Sequence, residues 1–384
     1  MKPLRVMAVF GTRPDTVKMA PVVAALQSAR PQIEPIVCVS AQHRQMLDAL
    51  LAFFEIVPDY DLDVMQEGQT LTEITTRVLE RMESVLEEAR PDVVLVHGDT
   101  TTSTAAALAA YYRKVPVGHV EAGLRTSTHW EPYPEELNRR LTGRIAEYHF
   151  APTQQARQNL LAENVADADI IVTGNTVVDA FLAASRKPAH YAELDSLDPA
   201  RPLIFMTAHR RENHAAMPAI CDAVAQVVRL PSRPQVLWPV HPSPMVAPIV
   251  RARLGEVAGV RLVEPLDYID VVQAVRRSRF VLTDSGGLQE EAPILGKPVL
   301  VMRNETERPE GIRAGTLELV GTEPAAIVAA VRRLLEDEAH YARMAQAHNP
   351  YGDGAAAPRI VQWLLARLRG ARAPEPFISS ADAA

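Results

Sequence analysis

Apolar residues in this chain come in short continuous runs separated by mixed stretches of helix length. Leu4–Phe10, Ile33–Val39, Val93–Val96, Val115–Val120, Tyr148–Ala151 and Ile170–Thr173 form a first series. Leu203–Thr207, Gln235–Val240, Val260–Val263, Phe280–Thr283, Val299–Met302 and Leu317–Val320 form a second. Most of these runs lack the polar alternation of a half-exposed sheet, so they predict strands covered on both faces. The strand–helix alternation predicts an α/β fold of two Rossmann-like, doubly wound parallel-sheet domains facing a cleft. A polar, Ala-rich stretch over 183–201, with Pro188 and Pro199, separates the two series. The expected organisation is an N-terminal domain over 1–180 and a C-terminal domain over 181–355. A helix over 356–370 packs back on the fold, and a disordered tail covers 371–384. Further helices are expected at Pro324–Glu336, His340–His348 and Ala356–Arg369.

Two strands of the first series stop on acids. Val93–Val96 runs into His97-Gly98-Asp99, and Val115–Val120 runs into Glu121-Ala122-Gly123, with a Thr- and Ala-rich helix between them. Ligands of open parallel sheets bind beyond the carboxyl ends of the strands, so Asp99 and Glu121 should open onto one crevice. Two acids there, with His97 and His119 close in sequence, suggest proton chemistry. The competing reading is a helix cap at Asp99 and a solvated turn acid at Glu121.

Composition narrows the classes. A length of 384 residues exceeds one comfortable core, and 47% hydrophobic with 23% charged residues is ordinary for a globular protein. A net charge of −7 argues against a nucleic-acid binder but leaves room for an anionic small substrate, since a few Arg and Lys can dominate a crevice. The two cysteines, Cys38 and Cys221, stand inside apolar runs and read as buried hydrophobes. Neither HExxH nor CxxC occurs, so no metal site is expected, and no cofactor either. With no signal-peptide pattern and no run of about 20 apolar residues, the expected setting is cytoplasmic and off the membrane.

Several strand ends carry further candidate chemistry. After the first strand, Gly11-Thr12-Arg13-Pro14-Asp15-Thr16-Val17-Lys18 combines a turn glycine, a helix-opening proline and two cations. It matches neither GxGxxG nor GxxxxGK[ST]. Phe280–Thr283 runs into Asp284-Ser285-Gly286-Gly287 and then Glu290 and Glu291. There a glycine turn opening a helix favours a phosphate, and the acids fit sugar hydroxyls. Thr207-Ala208-His209-Arg210-Arg211-Glu212-Asn213 could bind a diphosphate and protonate a leaving oxygen, or could be a solvated helix-entry loop. His241 is weaker. In Tyr133-Pro134-Glu135-Glu136, first-turn helix chemistry alone accounts for the acids. Thr306–Gly311 is a polar loop after a strand.

Taken together, GTRPDTVKMAPV (11–22), HGDTTTS (97–103), GHVEAGLRT (118–126), PYPEELNR (132–139), TGNTVVDA (173–180), TAHRREN (207–213), TDSGGLQEEAP (283–293), TERPEGIRAGT (306–316) and NPYGDG (349–354) carry a resemblance. The chain resembles the non-hydrolysing UDP-N-acetylglucosamine 2-epimerases from about residue 4 to 368. The resemblance implies a GT-B-like fold and a homodimer that interconverts UDP-GlcNAc and UDP-ManNAc by anti elimination of UDP, through a 2-acetamidoglucal, and re-addition. By motif it makes Asp99, Glu121, Glu135 and His209 catalytic. It makes Arg13, Lys18, Arg139, Tyr268, Ser285, Gly286, Gly287, Glu291 and Arg308 substrate contacts. Some bacterial members also hold a second, activating UDP-GlcNAc, which would correspond to Gln42, Gln45, Glu136, Arg211 and His241. Two departures stand out. Gly68 replaces a common Arg, which removes an anchor for an anionic effector, and Asp15 replaces the usual Glu. The rival readings are a GT-B glycosyltransferase, a hydrolysing epimerase, an inactive nucleotide-sugar sensor and an epimerase acting on a UDP-diacetamido sugar.

Overall fold

The computed structural model describes residues 2–41, 44–66, 68–126, 128, 130–188 and 190–379, and of residues 44–46 the backbone alone. Contacts divide the chain into two units. The first ends at Ala180 and resumes at Gly352 through Ile378; the second spans Phe181–Tyr351.

The first unit holds β1 (Leu4–Phe10), β2 (Ile33–Val39), β3 (Tyr60–Asp61), β4 (Val93–His97), β5 (Val117–Val120), β6 (Tyr148–Ala151) and β7 (Ile170–Val172). They form one sheet in the order β3-β2-β1-β4-β5-β6-β7, with every pairing parallel. Pleating sends alternate residues of β1 to opposite faces. Val6, Ala8 and Phe10 pack with the helix Arg13–Ser28, while Met7 and Val9 pack with the helices Leu71–Ala89 and Thr101–Tyr112. Both faces are therefore covered, which is why the strand sequences run apolar without alternation.

The helix Ala356–Arg369 belongs to this first unit. Its Ile360, Val361, Trp363 and Leu364 complete the core beside β6, with Trp363 edge-on to Tyr148 and Phe150 at 5.3 and 5.4 Å. It has no side-chain cap at its own start; the Asp179 carboxylate accepts from Ala356 N and Ala357 N at 3.2 and 2.9 Å instead. Past Gly370 the described residues form neither helix nor strand. Phe377 N–H nonetheless donates to the Val172 carbonyl at 2.8 Å, extending the hydrogen bonding of β7. The rest of the segment expected to be a disordered tail, 380–384, lies outside the described residues.

The second unit holds β8 (Leu203–Thr207), β9 (Gln235–Pro239), β10 (Val260–Val263), β11 (Phe280–Thr283), β12 (Val299–Val301) and β13 (Leu317–Leu319), parallel in the order β10-β9-β8-β11-β12-β13. Its core centres on Trp238, Phe280, Met206 and Leu282. The fold class is thus α/β with two doubly wound parallel sheets, and β3 is the strand the sequence reading lacks.

Candidate active site

Each sheet has one place where successive connections leave in opposite directions. In the first it lies between β1 and β4; in the second, between β8 and β11. Such switch points open a crevice at the carboxyl ends of the strands. The residues singled out from the sequence gather at those ends, unit by unit.

In the first unit, Gly11 leaves β1 so close to Ser40 that a Cβ there would stand 1.8 Å from Oγ; only glycine fits. The helix starting at Arg13 follows at once, with Arg13 half-buried and Lys18 in its second turn. Asp15 turns back onto the helix start, accepting from Gly11 N and Thr12 N at 3.2 and 2.6 Å. Burial lifts its carboxyl to about 6 against those hydrogen bonds. The shorter side chain therefore serves the turn.

Asp99 follows β4 by two residues and Glu121 follows β5 by one, on neighbouring strands paired His97 with Val120. The helix after Asp99 is capped by Thr100, whose Oγ1 accepts from Ser103 N at 3.1 Å. This overturns the capping reading of Asp99 and leaves its carboxylate to meet Arg139 Nη2. Glu121 is buried and stands at φ +63°, the left-handed region that a glutamate rarely adopts. Its Oε1 accepts from Lys18 Nζ and from Asn175 Nδ2, the latter at 2.9 Å, and His97 Nε2 stands 3.6 Å from Oε2.

The two carboxylates respond oppositely to this surround. Burial lifts the Asp99 pKa, with the Glu121 charge adding to it and the Arg139 cation working against it. Burial would lift Glu121 as well, but Lys18, His97 and Asn175 bring it down to about 2. His97 and His119 are fully buried and driven by burial to about 4 and about 3, so both are neutral at physiological pH. Contrary to the expectation of proton chemistry, His119 is a structural residue. Its Nε2 bonds the Gly98 carbonyl at 2.7 Å, fixing the turn between the acids.

Glu135 opens the helix Glu135–Ile145, and Asn138 and Arg139, three and four residues on, share its face. Asn138 Nδ2 donates to the Asp99 carbonyl at 3.0 Å, so this face lies against the Asp99 loop. Glu136 faces elsewhere. It is fully buried and accepts from Arg140 Nε at 2.8 Å and Thr126 N at 3.1 Å, with Arg139 Nη1 at 3.4 Å. Its companions in the expected effector site fall differently: Gln42 and the side chain of Gln45 lie outside the described residues.

In the second unit, Ser285 precedes the short helix Gly286–Glu291, and its N–H donates to Thr283 Oγ1 at 2.9 Å. A Cβ on Gly286 would stand 2.6 Å from Arg308 Nη1, so the glycine lets that guanidinium lie against the turn. Glu290, expected to face sugar hydroxyls, holds Arg308 Nε at 2.7 Å; Glu291 is half-buried on the next position. Tyr268 begins the helix Tyr268–Arg277 with its ring edge against Phe181, 6.3 Å between centroids. His209 follows β8 by two residues, and its ring stacks on His241 at 5.8 Å; Arg211 is exposed. The sequence reading missed Asn138, Asn175, Asp284 and Asn213. Each stands inside a quoted motif, but the partner that reveals its role lies far along the chain. Among the described residues no group of three or more His, Cys, Asp or Glu could hold a metal, and no helix is long and apolar enough to cross a membrane.

Comparison with known proteins agrees with this layout. The family model for UDP-N-acetylglucosamine 2-epimerase matches residues 25–365. The UDP-N-acetylglucosamine 2-epimerase of Salmonella typhimurium is 53% identical over 94% of this chain and 98% of its own length. That of Bacillus subtilis is 51% identical over 95% and 96%. The crystal structure of the Neisseria meningitidis UDP-GlcNAc 2-epimerase bound to UDP-GlcNAc superposes with a TM-score of 0.84 at 45% identity, covering 94% of this chain and 100% of that one. The chain belongs to the UDP-N-acetylglucosamine 2-epimerase family.

Proposed function

We propose that the chain interconverts UDP-GlcNAc and UDP-ManNAc by anti elimination of UDP to a 2-acetamidoglucal, followed by re-addition of UDP. The observation that carries this reading is the pair of carboxylates beyond β4 and β5, each against a cation yet pushed in opposite directions. Two titratable groups driven apart by their surroundings are the usual basis for dividing acid–base work. The C2 proton of the sugar is not acidic, so departure of the anomeric UDP must carry much of the barrier. Inverting C2 then needs proton access to both faces.

In this scheme Asp99 moves the proton at C2, because its raised pKa suits transfer in both directions. Glu121 stays ionised, holds Lys18 and sets the field at the sugar. Glu135, on the helix face shared with Arg139, serves the second face. His209 donates to the departing phosphate oxygen. Arg13, Lys18 and Arg139 of the first unit, with Tyr268, Ser285, Gly286, Gly287, Glu291 and Arg308 of the second, bind the substrate. The substrate named for the Neisseria meningitidis relative supports this assignment. The same proposal includes a cytoplasmic homodimer that supplies ManNAc for cell-surface polysaccharide. It also includes activation by a second UDP-GlcNAc through Arg211 and His241, the latter stacked on His209.

The direct test is product analysis. Purified chain with UDP-GlcNAc should give UDP-ManNAc as the minor equilibrium partner, with no stoichiometric UDP. Free ManNAc and UDP in equal amounts would make it a hydrolysing enzyme. Turnover of a UDP-diacetamido sugar alone would move the specificity.

A further inference from the structure

β8 and β11 are paired in register, Thr207 opposite Thr283, with the two hydroxyls 2.6 Å apart. One residue beyond Thr283, the chain places a carboxylate that is fully buried. Asp284 accepts from His209 N at 3.1 and 2.9 Å through its two oxygens, from Arg210 N at 2.9 Å and from Asn213 Nδ2 at 3.1 Å. Asn213 is itself anchored, donating to the Met302 carbonyl at 2.9 Å. The His209 ring turns its Nδ1 toward the same carboxylate, 3.5 Å from Oδ1. One buried anion thus gathers the backbone and the side chain of a loop that otherwise carries two adjacent arginines.

A buried carboxylate needs hydrogen-bond partners to offset its desolvation, and a simple fold role would be complete with the backbone donors. The imidazole adds something more. With Nδ1 facing an acceptor-only group, the ring keeps a proton on that nitrogen and presents Nε2 outward. We propose that Asp284 is a positioning residue for the reaction: it holds the His209 ring through Nδ1–H and favours its doubly protonated form, so that Nε2–H points outward and donates to the leaving phosphate oxygen. This rests on the role given to His209 above.

The groups that bear on the His209 ring are Asp284 from the end of β11, His241 stacked from the end of β9, and Arg210 beside it. Burial, His241 and Arg210 lower its pKa, and Asp284 opposes them. Neutralising Asp284 should therefore lower it further. Removing the Asn213 donor, which disperses the carboxylate charge, should raise it.

The experiment uses full-length protein labelled with ¹⁵N in its histidine rings, as wild type, Asp284→Asn and Asn213→Ala. Ring-nitrogen NMR across pH reads the tautomer and pKa of His209, and steady-state assays with UDP-GlcNAc read kcat and KM. Expected for Asp284→Asn are a fall in kcat of about 10²-fold, a KM within about threefold, mixed tautomers and a lowered His209 pKa. Expected for Asn213→Ala is a shift of that pKa in the opposite sense, which keeps the test open should Asp284→Asn fail to fold. A His209 titration and tautomer unchanged in the variant that folds would overturn the proposal, as would an unchanged kcat in Asp284→Asn. A wild type inactive on UDP-GlcNAc would instead overturn the functional reading, because the NMR signature does not depend on turnover.

Discussion

Asp99 and Glu121 are carboxylates at the ends of adjacent strands, each touching one cation, and the difference between them lies in how many groups answer each charge. Glu121 has Lys18 and the Asn175 amide, and is held ionised. Asp99 has Arg139 at its carboxylate, and burial prevails. Arg139 is then the lever on the proton carrier. In the proposed reaction Asp99 works as a base in its ionised form, so activity should fall as pH drops through its raised pKa. Arg139 lowers that pKa, so removing its charge raises it. In Arg139→Met the acid limb of kcat/KM should therefore move to higher pH by about one pH unit, the scale of a neighbouring cation's effect. A pH–rate profile of variant and wild type checks this. A limb that stays in place would mean that another group titrates there.

Among the elements, strands were far more legible than the contacts that tune them. Burial on both faces writes itself into the sequence as unbroken apolar runs, so twelve of the thirteen strands among the described residues could be placed within a few residues. β3 could not be, since Tyr60–Asp61 is too short and too exposed for any period to register. The carboxylates were legible because they end strands. The polar partners Asn138, Asn175 and Asp284 were not, because their roles depend on residues 39, 54 and 75 positions away. The capping of Ala356–Arg369 is of the same kind: Asp179 supplies from 177 positions away what the helix start lacks. Loss of a capping carboxylate costs about 1–2 kcal/mol. Asp179→Ala should lower the unfolding free energy of the first unit by about that much, read as a lower urea midpoint at unchanged slope. An unchanged midpoint would show that the helix is held by its apolar face alone.

At the scale of the whole molecule, both units repeat one strand order up to the length of the first sheet, and each gathers its chemistry at its own switch point. The first unit has carboxylates with cations, fit for moving a proton. The second has a Ser-Gly-Gly turn beside Arg308 and the Asp284–His209 pair, fit for holding and releasing a diphosphate. A glycosyltransferase could share the fold, since fold does not fix function, but it has no need of carboxylates tuned apart around one sugar carbon. What distinguishes the proposed reaction is that C2 inverts through loss and return of its proton. The decisive measurement is to incubate the purified protein with UDP-GlcNAc in deuterated water and follow the sugar by proton NMR. Inversion by this route makes UDP-ManNAc appear while the C2 proton signal is lost from the epimerised product. UDP-ManNAc that retains its C2 proton, or no turnover at all, would refute it.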